Sequence, residues 1–197
     1  MKMKAAPTQD ISRQKARDVN RNWLWALALV FLFSARAQAA TNIDPTNKYS
    51  WGANVGWMNW APDSVNGAVM AAFCSGYVYS ANVGWIFLGD GTPDNGLAYS
   101  NARPTDYGIN IDTKSDPNNW LLSGLAYSAN VGWINFSVLT QTGAANRPRI
   151  DRTTGKMLGY AWSANAGWLP LDSSPTAQLV VTLPPPQNAA KQWMLYQ

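Results

Sequence analysis

The 197-residue sequence contains no histidine and no glutamate, and its one cysteine is Cys74. Without histidine, neither a Ser-His-Asp nor a Cys-His nucleophile system can be built, and the commonest ligand of zinc and copper is missing. One cysteine excludes a disulfide within the chain, so Cys74 is expected to be a small buried side chain in a strand, with an intermolecular thiol link as the alternative. The sequence therefore predicts no cofactor, no metal site and no enzymatic activity.

The net charge of +4 is distributed unevenly along the chain. Residues 1–39 hold seven Lys and Arg against two Asp, whereas the remainder holds eight Lys and Arg against nine Asp. The segment after residue 39 is therefore close to neutral, at −1. It lacks the basic face with which a nucleic-acid-binding protein neutralises phosphates. Nucleic acid is not expected among its partners.

The basic N-terminal segment precedes an apolar run at 23–34 (WLWALALVFLFS) and the small-residue sequence SARAQAA. This order, with Ala37 and Ala39 in an A-x-A arrangement, predicts a signal peptide over residues 1–39 with cleavage after Ala39. A membrane anchor is the alternative, but the run of 12 residues is shorter than the roughly 20 that a spanning helix needs. We therefore expect a periplasmic, extracellular or cell-surface protein without a membrane span after signal cleavage.

Four twelve-residue segments align without gaps, at 49–60, 77–88, 125–136 and 160–171. Their common centre is Asn-x-Gly-Trp, formed by Asn54, Gly56 and Trp57, by Asn82, Gly84 and Trp85, by Asn130, Gly132 and Trp133, and by Asn165, Gly167 and Trp168. Such repetition predicts tandem structural units. Each unit is predicted to be a β-hairpin, because alternating aromatic residues lead into a loop whose glycine adopts positive φ freely, and an apolar strand follows.

Alternation along the strand after each loop assigns the two faces of these hairpins. One face is the expected core and carries eight large apolar residues, namely Met58, Trp60, Ile86, Leu88, Ile134, Phe136, Leu169 and Leu171. The other face carries the motif tryptophans with Asn59, Phe87, Asn135 and Pro170. The four tryptophans are therefore expected to be half exposed or to cover a second sheet.

Further strands are predicted at 67–73, 108–112, 148–152 and 178–183, and the last of these could pair with the N-terminal copy to close the array. No helical periodicity follows residue 40. The expected fold is all-β, with tandem hairpin repeats forming one closed or propeller-, barrel- or sandwich-like domain over 40–186, or else a solenoid. Residues 187–197 are predicted to be a tail. The segment GLAYSN at 96–101 echoes the motif and suggests a decayed fifth copy.

The motif G-[YL]-A-[WY]-S-x-N-x-G-W-[IL]-x-[FL], present at 124–136 and 159–171, resembles tandem repeats of secreted bacterial proteins without an established biochemical activity. The resemblance covers most of residues 49–172. It implies export and a repeated β-structure, and it implies no catalytic residues. Some proteins of that group carry a C-terminal sorting anchor, which is not expected from AAKQWMLYQ at the end of this sequence.

The repeated motif has a structural and a functional interpretation. In the structural one, the motif is a recurring turn, and Asn130 and Gly132 are needed for folding because Gly132 takes positive φ and the side-chain oxygen of Asn130 accepts a backbone N–H across its loop. In the functional one, Trp57, Trp85, Trp133 and Trp168 stack on sugar rings. The structural interpretation, in which the motif tryptophan also packs its hairpin, is the one that the sequence favours for the whole motif.

The aspartates at Asp90 and Asp94, and at Asp112 and Asp116, lie in turn-rich segments that could supply oxygen ligands to calcium. The EF-hand spacing fails because Gly96 is one position late and the terminal glutamate is absent. Solvated turns are the expectation. Two Asp carboxylates could also serve a glycoside hydrolase, but nothing in the sequence pairs any two of them.

Taken together, these features predict an exported, non-enzymatic β-repeat protein of the cell surface, envelope or matrix. The alternative is a secreted carbohydrate-binding module that uses the repeated Trp, Tyr and Asn positions. Its partner would be a glycan or an envelope component.

Overall fold

A computed structural model of the protein describes residues 40–138 and 144–183. The predicted signal peptide and the predicted tail lie outside the described residues. Within the described ranges the fold is all-β, with one short 3-10 helix at Ala144–Asn146. The strands are β1 (Ile43–Gly52), β2 (Gly56–Asn59), β3 (Val69–Met70), β4 (Cys74–Ser80), β5 (Gly84–Asp90), β6 (Ile109–Asp112), β7 (Asn119–Ser128), β8 (Gly132–Asn135), β9 (Arg149–Asp151), β10 (Met157–Leu158), β11 (Tyr160–Ser163), β12 (Gly167–Pro170) and β13 (Leu179–Val181).

Eight of these strands form a curled antiparallel half-barrel sheet in the order β12-β11-β8-β7-β5-β4-β2-β1, and β13 adds beside β1. The four motif segments form the hairpins β1–β2, β4–β5, β7–β8 and β11–β12, which are numbered hairpins 1 to 4 below. Each has a three-residue loop. The pair next to the loop always contains the motif glycine, as Gly52↔Gly56, Ser80↔Gly84, Ser128↔Gly132 and Ser163↔Gly167.

The shorter strands extend this sheet at the ends remote from the motif loops. The first half of β7 pairs with β6 on one side and with β9 on the other, and β9 pairs with β10. The strands expected at 67–73, 108–112, 148–152 and 178–183 correspond to β3, β6, β9 and β13, all of them shorter than expected. The expected pairing of the last strand with the N-terminal copy is confirmed, because β13 pairs with β1.

The interior of the curled sheet is filled by the alternate side chains of the hairpins. All eight residues expected on the core face are buried, and that prediction is confirmed. The residue between Asn and Gly of each motif is buried as well, namely Val55, Val83, Val131 and Ala166. The motif loops therefore add apolar contacts to the core, and burying each large side chain contributes about 1.5–3 kcal/mol.

The segment at 96–101, suggested as a decayed fifth copy of the motif, forms no strand. Its Tyr99 is buried, with the hydroxyl donating to the carbonyl of Cys74 at 3.1 Å and accepting from the N–H of Gly91 at 2.7 Å. Burial raises the pKa of Tyr99 to about 12. The segment lacks a Gly-Trp after its asparagine, and Asn101 itself takes the positive φ of 55°.

Candidate functional site

Each of the four hairpins carries an aromatic pair across its two strands on the outer face. The pairs are Trp51↔Trp57, Tyr79↔Trp85, Tyr127↔Trp133 and Trp162↔Trp168. All eight side chains are exposed, with between 37% and 48% of their surface accessible. Large aromatic surface left in water at equivalent positions of four hairpins is a feature of recognition surfaces.

The motif glycine directs each tryptophan to the outer face. The φ angles of Gly56, Gly84, Gly132 and Gly167 lie between 68° and 73°, in the left-handed region that only glycine enters without strain. The chain reverses there within a three-residue loop, and alternation then places the next residue, the tryptophan, outside and the following apolar residue inside.

The motif asparagines link neighbouring hairpins. The Nδ2 group of Asn130 donates to the carbonyl of Val83 in hairpin 2, at 3.1 Å, and that of Asn165 donates to Val131 in hairpin 3, at 3.2 Å. The sequence suggested a bond across each asparagine's own loop. The carbonyls of Val83 and Val131, each just before a motif glycine, instead lie within reach of the adjoining loop, and the asparagine amide donates to them.

Three serines that sequence reasoning left without a role support the same contact. Ser80, Ser128 and Ser163 precede the loops of hairpins 2 to 4 and are almost completely buried. Their hydroxyls donate to the valine carbonyl of the preceding hairpin, at 2.5–3.2 Å, and accept the N–H of their own motif asparagine. The sequence feature that could have indicated this contact is the serine shared by three of the four motif copies.

Hairpin 1 has Gly52 in place of this serine. Its junction with hairpin 4, called the seam below, uses a serine that lies outside the motif. Strands β1 and β12 are neighbours there, and the hydroxyl of Ser173 joins them. It accepts the N–H of Trp51 at 2.8 Å and donates to the carbonyl of Trp51 at 3.3 Å. The segment 172–178, which leads from β12 to β13, therefore lies against β1 at the seam.

Two open clefts lie at the seam, and Trp57 contributes to both. The first has a volume of about 570 Å³ and is lined by Thr46, Asn47, Tyr49, Trp57, Thr176, Ala177 and Gln178. The second has a volume of about 420 Å³ and is lined by Trp51, Trp57, Tyr160, Pro170, Asp172, Ser173, Ser174 and Thr176. Both fall in the size range of small-molecule sites, about 300–1,000 Å³.

Asp172 is the one charged group among the described residues that line these clefts. Its Oδ1 atom accepts the N–H of Ser174 at 3.0 Å and the hydroxyl of Ser174 at 2.7 Å. These bonds fix the carboxylate beside the aromatic wall. Its second oxygen has no partner among the described residues and is available to a ligand.

The aromatic side chains of hairpins 2 and 3 are connected by ring contacts on the outer face. Tyr107 bridges the two hairpins, with its ring centroid 5.6 Å from that of Phe87 and 4.8 Å from that of Trp133. Tyr77 lies 5.8 Å from Trp85. This outer surface is a continuous aromatic layer with exposed edges.

The aspartates considered as calcium ligands serve their own turns. Asp90 accepts the N–H and the hydroxyl of Thr92, at 2.8 and 2.6 Å, and Asp94 pairs with Arg103 at 3.3 Å. Asp112 and Asp116 each accept the N–H groups two and three residues ahead. Solvated turns are what the structure shows at these positions.

Cys74 lies in β4 with no accessible surface, 3.1 Å from the sulfur of Met70. Burial raises the pKa of its thiol. The expectation of a small buried strand residue is confirmed, and a thiol in this position is out of reach of another molecule in the folded state.

The part of the chain that the structure describes contains no group of three or more Cys and Asp side chains placed to hold a metal ion. None of its helices is long and apolar enough to cross a membrane. No known protein family, curated protein or solved structure matches this chain.

Proposed function

We propose that this protein is an exported, non-enzymatic carbohydrate-binding module whose outer face contacts glycans through the exposed aromatic pairs. The observation that carries the proposal is the accessibility of eight aromatic side chains, 37–48% each, at equivalent positions of four hairpins. Sugar rings have apolar faces and hydroxyl edges. A half-exposed tryptophan or tyrosine offers a rigid apolar surface to such a face at little cost in conformational entropy.

The arrangement of the hairpins is part of the proposal. We propose that they are tandem repeats and that they close at the seam into one barrel-like domain. The Nδ2 group of Asn54 in hairpin 1 donates to the carbonyl of Ala166 in hairpin 4 at 3.0 Å, and Ser173 bridges to Trp51 at the same junction. Closure would hold the aromatic pairs at fixed relative positions, as a preorganised binding surface requires.

Electrostatics support a binding role over glycoside hydrolysis. A hydrolase of the usual kind needs one carboxyl group with a raised pKa to act as general acid. Here, hydrogen bonds from the side chains of Asn66 and Ser115 lower the pKa values of Asp63 and Asp112. The backbone N–H of Asn118 does the same for Asp116. Carboxyl groups with lowered pKa values are ionised at neutral pH, and these three accept hydrogen bonds within turns, so they do not have the raised pKa that a general acid needs.

Glycan binding is tested by screening the purified protein on a polysaccharide and oligosaccharide array and then titrating the strongest ligands while recording tryptophan fluorescence. A bound sugar that covers a half-exposed indole shifts its emission, so binding and a spectral change are expected together. Replacing a contacting tryptophan by alanine is expected to weaken binding by about 1–3 kcal/mol. Failure of every glycan to bind would contradict the proposal.

Export is proposed from the charged, apolar and small-residue segments within residues 1–39, which lie outside the described residues. Cell fractionation with an antibody against the folded domain tests it. The expected result is a shortened protein in the periplasm, at the surface or in the medium. Recovery of the uncleaved chain in the cytoplasm would contradict export without bearing on glycan binding.

A structural component of the envelope or matrix is the second candidate. The observation that favours it is the aromatic layer of hairpins 2 and 3, in which rings such as Tyr107 and Trp133 pack edge to face at 4.8 Å and stabilise the sheet without a ligand. In that case deleting the gene would alter envelope integrity, while the purified protein would bind no free glycan.

A further inference from the structure

We propose that the glycan binds at the seam, across the two clefts that share Trp57, and that it is a neutral oligosaccharide of at least two residues. This inference rests on the proposed carbohydrate-binding function and assigns that function to one place on the outer face. Hairpins 2 and 3 carry equivalent aromatic pairs, and the inference narrows the main site from these pairs to the one in hairpin 1.

The seam differs from the rest of the outer face in its shape. Residues of segment 172–178 lie beside the aromatic pair of hairpin 1 and line both clefts. Around hairpins 2 and 3, Tyr107 fills the space between Phe87 and Trp133 with its own ring. Ligand sites are concave, and the two open clefts give the seam two adjoining concave surfaces on which a ligand can lie.

The shared position of Trp57 sets the minimum length of the ligand. Trp57 and Thr176 line both clefts, whose volumes are about 570 and 420 Å³. Tyr49 lies on the side of the first cleft, with its ring 6.3 Å from that of Trp57, and Trp51 and Tyr160 lie on the side of the second. A single sugar can occupy one cleft, whereas two or more linked sugars contact Trp57 from both.

Charge selects a neutral glycan. Asp172 lines the second cleft and is the one charged group among the described residues that line either cleft. The nearby Lys48 directs its ammonium group to the carbonyl of Ala61, at 3.2 Å, and to the ring of Tyr49. A uronic acid or sulfated sugar would meet the carboxylate of Asp172 and no Lys or Arg among the described residues that line the two clefts, which disfavours an acidic ligand.

The same groups supply polar recognition. The unpartnered oxygen of Asp172 can accept a sugar hydroxyl, and hydrogen bonds to an ionised acceptor are stronger than neutral ones. The amide of Gln178 in the first cleft offers both a donor and an acceptor. Aromatic walls with a few fixed polar groups are the usual composition of a sugar site.

The test is isothermal titration of the purified protein with neutral β-linked glucose, xylose, mannose and N-acetylglucosamine oligomers of one to six residues, and with galacturonic acid oligomers of equal length. At least one neutral series is expected to bind, with affinity rising about tenfold or more from monomer to trimer, and the acidic series is expected not to bind. Equal affinity for monomer and trimer would overturn the two-cleft arrangement. Tight binding of the acidic series would overturn the neutral class.

Two matched variants separate the seam from the rest of the outer face. Trp57→Ala is expected to weaken binding about tenfold or more, as loss of a central aromatic contact does, whereas Trp85→Ala at the equivalent position of hairpin 2 changes it less than about twofold. Thr176→Trp, which places a bulky side chain at the position shared by both clefts while leaving every aromatic pair in place, is expected to abolish binding. Thermal melting of each variant checks that it is folded.

The results distinguish failure of the inference from failure of the proposed function. Binding that Trp85→Ala removes and that both Trp57→Ala and Thr176→Trp leave intact would overturn the seam site and keep the glycan-binding function. No binding of any oligomer by the unmodified protein would overturn both.

Asp172→Asn, which keeps an oxygen for Ser174, is expected to reduce the preference for neutral over acidic oligomers. An unchanged preference would show that Asp172 does not contribute to this selection.

Discussion

The side-chain amide of Asn54 donates to the carbonyl oxygen of Ala166 at 3.0 Å, although 112 positions separate the two residues in the chain. Asn130 and Asn165 make the same contact with the hairpin that precedes their own. Hairpin 1 is the first hairpin of the described residues, and its asparagine contacts hairpin 4. The motif asparagine therefore donates the same kind of hydrogen bond between consecutive hairpins and between hairpins 1 and 4 at the seam.

Asn54→Ala is expected to lower the free energy of unfolding by about 1 kcal/mol, because it removes one hydrogen bond and leaves a carbonyl less well satisfied. Asn165→Ala, which removes the equivalent bond between hairpins 3 and 4, is the matched comparison and should cost a similar amount. Urea unfolding measures both, with Val65→Ala at an exposed position as the control. A loss for Asn165→Ala but none for Asn54→Ala would show that the seam contact does not contribute to stability.

The motif glycines give a second prediction, since alanine at each of them is strained at positive φ by about 1 kcal/mol or more. A Cβ at Gly132 would lie 3.7 Å from the amide nitrogen of Asn165, an ordinary contact. A Cβ at Gly56 would lie 2.7 Å from that of Asn82. Gly56→Ala should therefore lower the melting temperature more than Gly132→Ala. Equal losses would mean that Asn82 moves away freely.

Local rules were enough to predict the hairpins, because the information for them lies within twelve residues. Alternation placed residues such as Ile86 and Leu169 inside, and both are buried. The same alternation put the motif tryptophans on a face of mixed polarity, and Trp133 is half exposed there. No contact between distant residues is needed for either inference.

The seam could not be predicted in the same way. The contacts of Asn54 with Ala166 and of Ser173 with Trp51 join residues far apart in the chain, and no local pattern marks them. The clefts beside segment 172–178 are formed together with residues of hairpin 1 such as Trp57, which lie more than 100 positions earlier in the chain. The serine of the motif was visible, as in Ser128, but its partner is Val83 of the neighbouring hairpin.

Acid is expected to destabilise the protein through its turn aspartates. The backbone N–H groups of Thr154 and Asn118 lower the pKa values of Asp151 and Asp116 below 3.8. A carboxyl group with a lowered pKa in the folded state stabilises the protein above its unfolded pKa, and this contribution is lost as the pH falls through the folded value. Urea midpoints should therefore be level above about pH 5 and fall towards pH 2.

Asp151→Asn together with Asp116→Asn keeps the acceptor oxygens without titrating, so the double variant should lose less stability on acidification. An equal loss would place the acid sensitivity elsewhere.

The last prediction concerns a pair that occurs in hairpin 1. The indole N–H of Trp60 donates to the hydroxyl of Ser50 at 3.0 Å inside the core, where both side chains are buried. The equivalent pairs in hairpins 2 to 4 are apolar on both sides, namely Val78 with Leu88, Ala126 with Phe136, and Ala161 with Leu171. The buried hydroxyl of Ser50 therefore serves as the hydrogen-bond acceptor for the indole N–H of Trp60 in the core.

Ser50→Ala is expected to cost about 1–3 kcal/mol, because it leaves the buried indole N–H without an acceptor. Trp60→Phe costs packing through the volume it removes. In the double variant Ser50→Ala with Trp60→Phe, the unsatisfied donor is gone, so the loss should be smaller than the sum of the single losses by about 1 kcal/mol. Urea unfolding of the four proteins gives this difference directly, and the cavity left by the smaller ring cancels because it is present in both phenylalanine variants. Additive losses would show that the hydrogen bond contributes nothing, and that Ser50 is tolerated in the core for its small size alone.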